Sequence, residues 1–173
     1  MPRPGSDVVV RVARDDELAA VGDLTVAGYD ADDSLRLPDG SYDQTYADWL
    51  RDTPSRARDA VLLVAVEADA LLGTVTWCPH RSPTAQLAHA PHQGEIRSLS
   101  VAPTARRRGI GRTLVLDCLR RATDAGLTEV VLSSRDQLLP AHRLYAALGF
   151  VRRPDLDHEP VPGVLLWGFS KAL

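Results

Sequence analysis

The run Val101-Ala-Pro-Thr-Ala-Arg-Arg-Arg-Gly-Ile-Gly-Arg-Thr-Leu114 gathers residue types that handle phosphate. Glycines at 109 and 111 let the backbone approach a ligand closely and leave N–H groups pointing outward. From there Ile110, Leu114, Cys118, Leu119 and Ala122 recur at helical spacing, so a helix begins at the glycines and adds its positive dipole end. Backbone donors joined to a helix start make a pyrophosphate cradle that needs no lysine. Arg106, Arg107, Arg108 and Arg112 supply charge that phosphates can meet. Two plainer readings stand beside this one. An arginine run is often a solvated face or a nucleic-acid patch, and a G-x-G before a helix is often only a turn. The dinucleotide fingerprint G-x-G-x-x-G is not met, because Leu114 stands where its last glycine belongs.

Composition narrows the chemistry further. The chain has 173 residues, 45% of them hydrophobic and 25% charged, as one globular domain over 1–173 would have. Its formal net charge of −3 argues against a global nucleic-acid binder. Lys171 is the sole lysine among the basic residues. P-loop, pyridoxal-phosphate and Schiff-base chemistries all need a lysine inside the fold, and are excluded. Cys78 and Cys118 form no C-x-x-C pair, which fits a reducing cytosol. His89 and His92 flank Pro91 with no completing ligand cluster nearby, so no metal is expected. There is no G-x-S-x-G elbow. Residues 1–7 carry no apolar core of signal-peptide length, and no apolar run is long enough for a membrane span. A cytoplasmic protein with no membrane partner is the expectation.

The elements that must position these residues alternate between strand and helix. Residues 8–13 read as a strand, and Asp15 can cap a following helix whose buried stripe is Leu18, Val21 and Leu24. Residues 29–41 are an aspartate-rich loop. A short helix carries Tyr46, Trp49 and Leu50, and Thr53-Pro54 should end it. Residues 60–66 and 71–77 form a hairpin, and residues 79–94 a loop. Residues 95–101 alternate, with Ile96, Ser98 and Ser100 against Arg97, Leu99 and Val101. The long helix spans 109–125, a strand 129–133, and a short helix 140–148 that opens on Pro140 and stops at Gly149. Residues 151–152 and 164–169 supply the last strands across a Pro-rich loop at 154–162. This pattern gives an α/β fold with a mixed sheet.

The phosphate run resembles a known signature. Arg106-x-x-Gly109-x-Gly111 matches the Q/R-x-x-G-x-G/A motif of the GNAT superfamily of N-acetyltransferases. Glu95-Ile-Arg-Ser-Leu-Ser-Val101 resembles that family's central fourth strand, and Ala141-His-Arg-Leu-Tyr145-Ala-Ala-Leu-Gly-Phe150 its late A-x-x-L-Y-x-x-L-G-F motif. The tail from Arg152 to Leu166 is similar to bacterial members of unassigned substrate. The resemblance implies a twisted, mostly antiparallel sheet of about seven strands, splayed between the fourth and fifth, with about four helices. It implies acetyl-CoA as co-substrate and no metal.

By the same resemblance the cofactor arm lies along Leu99, Ser100 and Val101. The pyrophosphate rests on residues 106–113, including Ile110 and Thr113; Ser133 or Ser134 could contact the arm, with packing or turn formation as the leading reading, and His142 is a further cofactor contact. A backbone N–H on the fourth strand would hold the thioester oxygen. Tyr145 would be the general acid for the leaving thiolate, with a packed aromatic as the plainer reading. Glu95 would be the general base, directly or through water, or else a strand-end carboxylate paired with an arginine such as Arg97. Arg97 could itself face the substrate. Leu138 replaces the asparagine many members place before the tyrosine. Cys118 belongs to the apolar stripe and is read as core.

The family builds its acceptor site from the first helices, their loop, and the late loop, here about 29–49 and 154–162. Aspartates beside Tyr29, Tyr42, Tyr46 and Trp49 would suit a cationic amine, and a solvated acidic loop is the competing reading. A small-molecule amine leads. A protein N-terminus or lysine is the alternative, and a non-catalytic acyl-CoA-binding module is a rival of another class. A homodimer is left open, and a nucleic-acid role for Arg106–Arg108 would require salt-dependent binding.

Overall fold

Residues 62–65 show why the chain folds around two layers of helix. Along Leu62, Leu63, Val64 and Ala65 every side chain is buried, with Leu62 and Val64 facing one cluster and Leu63 and Ala65 another. A strand covered on both faces reads as a continuous apolar run rather than an alternation. The computed structural model describes residues 7–173. Residues 1–6, within the stretch read as lacking a signal-peptide core, lie outside them.

The described chain runs β1 (Val9–Val12), α1 (Leu18–Ala31), α2 (Gln44–Arg51), α3 (Thr53–Asp59), β2 (Val61–Glu67), β3 (Ala70–Cys78), β4 (Gln93–Val101), α4 (Ile110–Asp124), β5 (Glu129–Arg135), α5 (Leu139–Ala147), β6 (Val151–Arg152) and β7 (Leu166–Ala172). The strands form one seven-stranded sheet in the order β1-β2-β3-β4-β5-β7-β6. All pairs are antiparallel except β4 with β5. One face packs α4 and the Tyr145–Phe150 region over Leu63, Val75, Trp77, Ile96 and Leu132. The other face carries α1, with the Val26–Leu35–Ala47–Leu50 cluster joining it to α2.

The architecture agrees with the sequence reading, with one helix more than the expected four. Thr53-Pro54 does end α2, but it also opens α3. Asp52 turns the corner by accepting from Ser55 N, and proline sits in the first turn, where its missing N–H costs nothing. No helix among the described residues is long and apolar enough to cross a membrane.

Two departures from regularity shape the centre of the sheet. β4 and β5 pair only from Gln93↔Glu129 to Ile96↔Leu132. Beyond that β4 stays on β3 as far as Val101, while β5 stays on β7 as far as Arg135, so the sheet opens between them. On β4 the register with β3 slips: Arg97 faces Thr76, but Ser100 faces Thr74. Ser98 occupies the left-handed region at φ 52°, and the extra residue is a β-bulge. The bulge breaks the alternation expected for 95–101. Ile96, Leu99 and Val101 pack on the α4 side, whereas Ser100 bonds to the carbonyls of Leu24 and Thr25 on α1. A residue in the left-handed region costs about 1 kcal/mol or more and tends to sit at functional sites.

Candidate active site

The cradle forms where β4 ends. Gly109 is the N-cap of α4 at φ 78°, a conformation glycine adopts without strain. A Cβ at 109 would meet nothing within 4 Å, so the backbone angle and not crowding demands glycine. Arg107, two residues earlier, is also left-handed, at φ 62°. The helix start has no side-chain cap and no acidic residue in its first turn. Its first N–H groups are therefore unmet by any side chain and face an open approach, the arrangement that suits an anion. Thr113 does not point outward, because its hydroxyl bonds back to the carbonyl of Gly109 at 3.1 Å.

The arginines of the run divide. Arg106 is tied to Asp32 at 2.8 Å and to the carbonyl of Gly28 at 3.0 Å. Its side chain fastens the end of α1 to the cradle. Gly28 permits the close approach: a Cβ there would come within 1.9 Å of Ser100 Oγ. Arg108 pairs with Glu67 at 2.7 Å on the surface, a pair weak enough for an incoming anion to replace. Among the described residues Arg107 and Arg112 have no hydrogen-bond or ion-pair partner, so their side chains are free to meet a ligand. Ile110 is buried in the core and offers only its backbone.

Tyr145 is buried on the α4 side against Phe150 and Phe169, with ring centres 5.9 Å and 5.7 Å away. Burial pushes its phenol well above the ordinary tyrosine range, so it holds its proton. It is also within electrostatic range of Tyr29, which comes from the α1 side. Leu144 and Val101 flank Gly111. Ser134 is buried on β5 opposite Trp167. His142 is half-buried, packed on Trp167 and Phe169 and bonded to the carbonyl of Arg135, and burial lowers its basicity. That packing fits a role in seating α5 on β5.

Glu95 is 1% exposed. Its Oε2 accepts three backbone N–H bonds, from Gln86 and Leu87 at 2.7 Å and Ala88 at 3.1 Å. Oε1 is buried with no hydrogen-bond partner, 3.9 Å from Arg97 Nε. One oxygen thus holds the 79–92 loop against the sheet, and the other is the only atom left for chemistry. Sequence reasoning had no access to this division of labour, since the donors are unremarkable loop amides.

On the α1 side of the sheet the first two helices supply an aromatic cluster. Tyr29 meets Tyr46 edge-on at 5.9 Å, and Tyr46 stacks on Trp49 at 5.7 Å. Tyr42 is exposed and lies outside it, near Asp30. The neighbouring aspartates at 30, 32, 33, 39 and 48 are all exposed to solvent. The groups that face the cluster are arginines: Arg97 lies 4.5 Å and Arg56 5.7 Å from the Trp49 ring. Arg56 was not singled out in the sequence, and nothing in its local pattern marks it from Arg58. The late loop closes the other side, where Val161 and Pro162 share a shallow groove with Leu37, Pro38 and Asp39. Cys78 and Cys118 are free and buried, and burial pushes the Cys78 thiol up to about 12, so neither is a nucleophile. Among the described residues no group of histidine, cysteine and carboxylate side chains could hold a metal.

The profile of the acetyltransferase (GNAT) family matches residues 9–150, which take in the α4 start, the parted β4–β5 pair and the buried tyrosine. The chain belongs to the GNAT acetyltransferase family. A GNAT protein of Schizosaccharomyces pombe, an uncharacterised N-acetyltransferase, is 35% identical over 71 residues, 41% of this chain and 44% of the relative. The mycothiol acetyltransferase of Thermomonospora curvata is 41% identical over 64 residues, 37% of this chain and 22% of the relative. These alignments span less than half the length of the curated relatives. Over the whole fold, the PaiA N-acetyltransferase of Thermoplasma acidophilum, solved with coenzyme A, superposes with a TM-score of 0.71 at 17% identity, covering 96% of this chain and 99% of its own. The putative acetyltransferase YncA of Salmonella typhimurium, solved with acetyl-CoA, gives 0.66 at 18% identity, covering 97% and 95%.

Proposed function

We propose that this GNAT enzyme is an acetyl-CoA-dependent N-acetyltransferase that moves the acetyl group directly to a primary amine of a small molecule. The observation that carries the reading is the uncapped start of α4 following the end of β4, where β4 and β5 part, with Tyr145 buried in the core cluster that α4 shares with β4. The backbone of 107–112, with the Arg107 and Arg112 side chains, holds the pyrophosphate. Acetyl-CoA supplies the thioester-activated acetyl group. Backbone N–H groups of β4 past the Ser98 bulge, released from pairing with β5, stabilise charge developing on the carbonyl oxygen. Tyr145 donates its proton to the departing sulfur, and burial keeps it protonated until then. Glu95 Oε1 takes the proton the amine must lose, directly or through a water.

The acceptor enters from the α1–α3 side, between the aromatic cluster and the late loop. Supporting a small molecule over a peptide is the way Glu95 pins the 86–88 segment down beside the site. The decisive measurement is CoA release on an amine panel, with Tyr145→Phe as control. The variant should lose kcat while its KM for acetyl-CoA stays unchanged. Unchanged turnover would remove Tyr145 from the mechanism. Tight acetyl-CoA binding without thiol release on any amine would instead favour a binding module.

A further inference from the structure

The acceptor side holds more positive charge than its neighbours balance. Arg56 is 2% exposed, yet its guanidinium donates only to neutral acceptors: Thr76 Oγ1, Thr25 Oγ1 and the carbonyl of Leu50. Its Nε has no partner, and the carboxylate that acts on it, Asp52, sits at the exposed cap of α3. Arg97 shares the Trp49 ring with it. The one buried carboxylate beside them among the described residues is Glu95: its Oε2 is held by loop amides and its Oε1 stands 3.9 Å from Arg97 Nε, so a single carboxylate faces two guanidinium groups. A half-buried site with surplus cations is costly until an anion arrives.

Arg97 has the geometry to receive that anion. Its Nη1 donates to the carbonyl of Thr84 at 2.6 Å, while Nε and Nη2 make no hydrogen bond. The side chain is 13% exposed, so that edge can be reached. A planar carboxylate meets a free guanidinium edge with two parallel bonds. Glu95 Oε1, the atom assigned to the amine, is 3.9 Å from Arg97 Nε. With hydrogen bonds of about 2.9 Å on each side, a ligand serving both atoms needs its amine and carboxylate only a few ångströms apart. That spacing belongs to an α-amino acid; a polyamine offers a second cation instead, and a peptide N-terminus has no carboxylate there. We propose that Arg97 anchors the carboxylate of an amino-acid acceptor whose amine lies at Glu95 Oε1. The inference rests on the acetyl-transfer reading for the placement of the amine.

The test uses the standard L-α-amino acids, their amides and the matching decarboxylated amines as acceptors. The full chain should favour at least one acid over its amide and amine by tenfold or more in kcat/KM. Arg97→Gln should cut that acid's kcat/KM about tenfold to a hundredfold through KM, the range for losing a charge-assisted hydrogen bond. The preference for the acid over its amide should collapse, and Arg97→Lys, which keeps charge but not the fork, should fall between. Calorimetric binding of N-acetyl amino acids and their amides to the CoA-loaded protein is read in parallel. If no amine releases thiol but N-acetyl acids bind in an Arg97-dependent way, the transfer reading falls and the anchor stands. If acids bind no better than amides, or Arg97→Gln keeps the preference, the anchor is overturned.

Discussion

The two halves of the site are built on opposite plans. The cradle comes from one stretch of chain, residues 101–113, and acts mainly through backbone: left-handed turns, unmet N–H groups and a helix end. The acceptor side comes from Tyr29, Tyr46, Trp49, Arg56, Glu95 and Arg97, on three helices and a strand, and acts through side chains. A phosphate presents the same shape to any protein, so a local backbone motif suffices for it. An acceptor must be told from its analogues, which takes side chains whose placement depends on the whole fold.

The sharpest way to probe that contrast is at the point where the halves meet. Tyr145→Phe should lower kcat by roughly 10²- to 10⁴-fold, with a melting temperature close to that of the parent. With its proton held by burial, Tyr145 should also place no alkaline limb in the kcat profile within the ordinary tyrosine range. A limb there that vanishes in the Phe variant would keep the acid role but overturn the burial-held proton.

Glu95 separates structure from chemistry by two substitutions. Glu95→Ala strands three amides and should cost roughly 3 kcal/mol or more, read as a fall in melting temperature. Glu95→Gln keeps an oxygen for the loop, so it should melt near the parent while losing about tenfold or more in kcat/KM for the amine. Equal activity in Glu95→Gln and the parent would reduce Glu95 to a loop fastener.

On the cradle, Gly109→Val should raise the KM for acetyl-CoA about tenfold, since a β-branched residue resists φ 78°. Arg112→Ala should raise it only a few-fold, and Arg106→Gln should act through stability more than through KM. An Arg106→Gln variant that loses acetyl-CoA affinity at unchanged melting temperature would restore Arg106 as a phosphate contact.

The smallest effect lies far from both halves. Glu17, bonded to Arg11, has its carboxyl lowered to about 2. Its contribution to stability is full above the ordinary range near 4.5 and drains away as pH falls toward 2. Glu17→Gln should therefore flatten the acid limb of the melting-temperature curve and leave neutral-pH activity alone.

Much of the fold was legible because its signals are local. The hairpin, the long helix and the glycine cradle follow from periodicity and turn chemistry. The missed α3 shows the limit: Thr53-Pro54 stops one helix and starts the next, and sequence alone marks only the stop. The β4 alternation failed for a different reason. A bulge at Ser98 is set by the pairing with β3 and by the opening toward β5, neither of which appears in a linear pattern.

Sequence by itself determined the family, the order of elements and the glycine-bearing start of α4, since each depends on neighbours along the chain. Tertiary structure decided which charges are available. It turned the aspartates of 30–39 to solvent, spent Arg106 on Asp32, and brought Arg56 and Arg97 onto one indole beside a carboxylate with one free oxygen. Electrostatics depends on distance and burial in space, and residues far apart in sequence acquire both only when the sheet and its helices close around them.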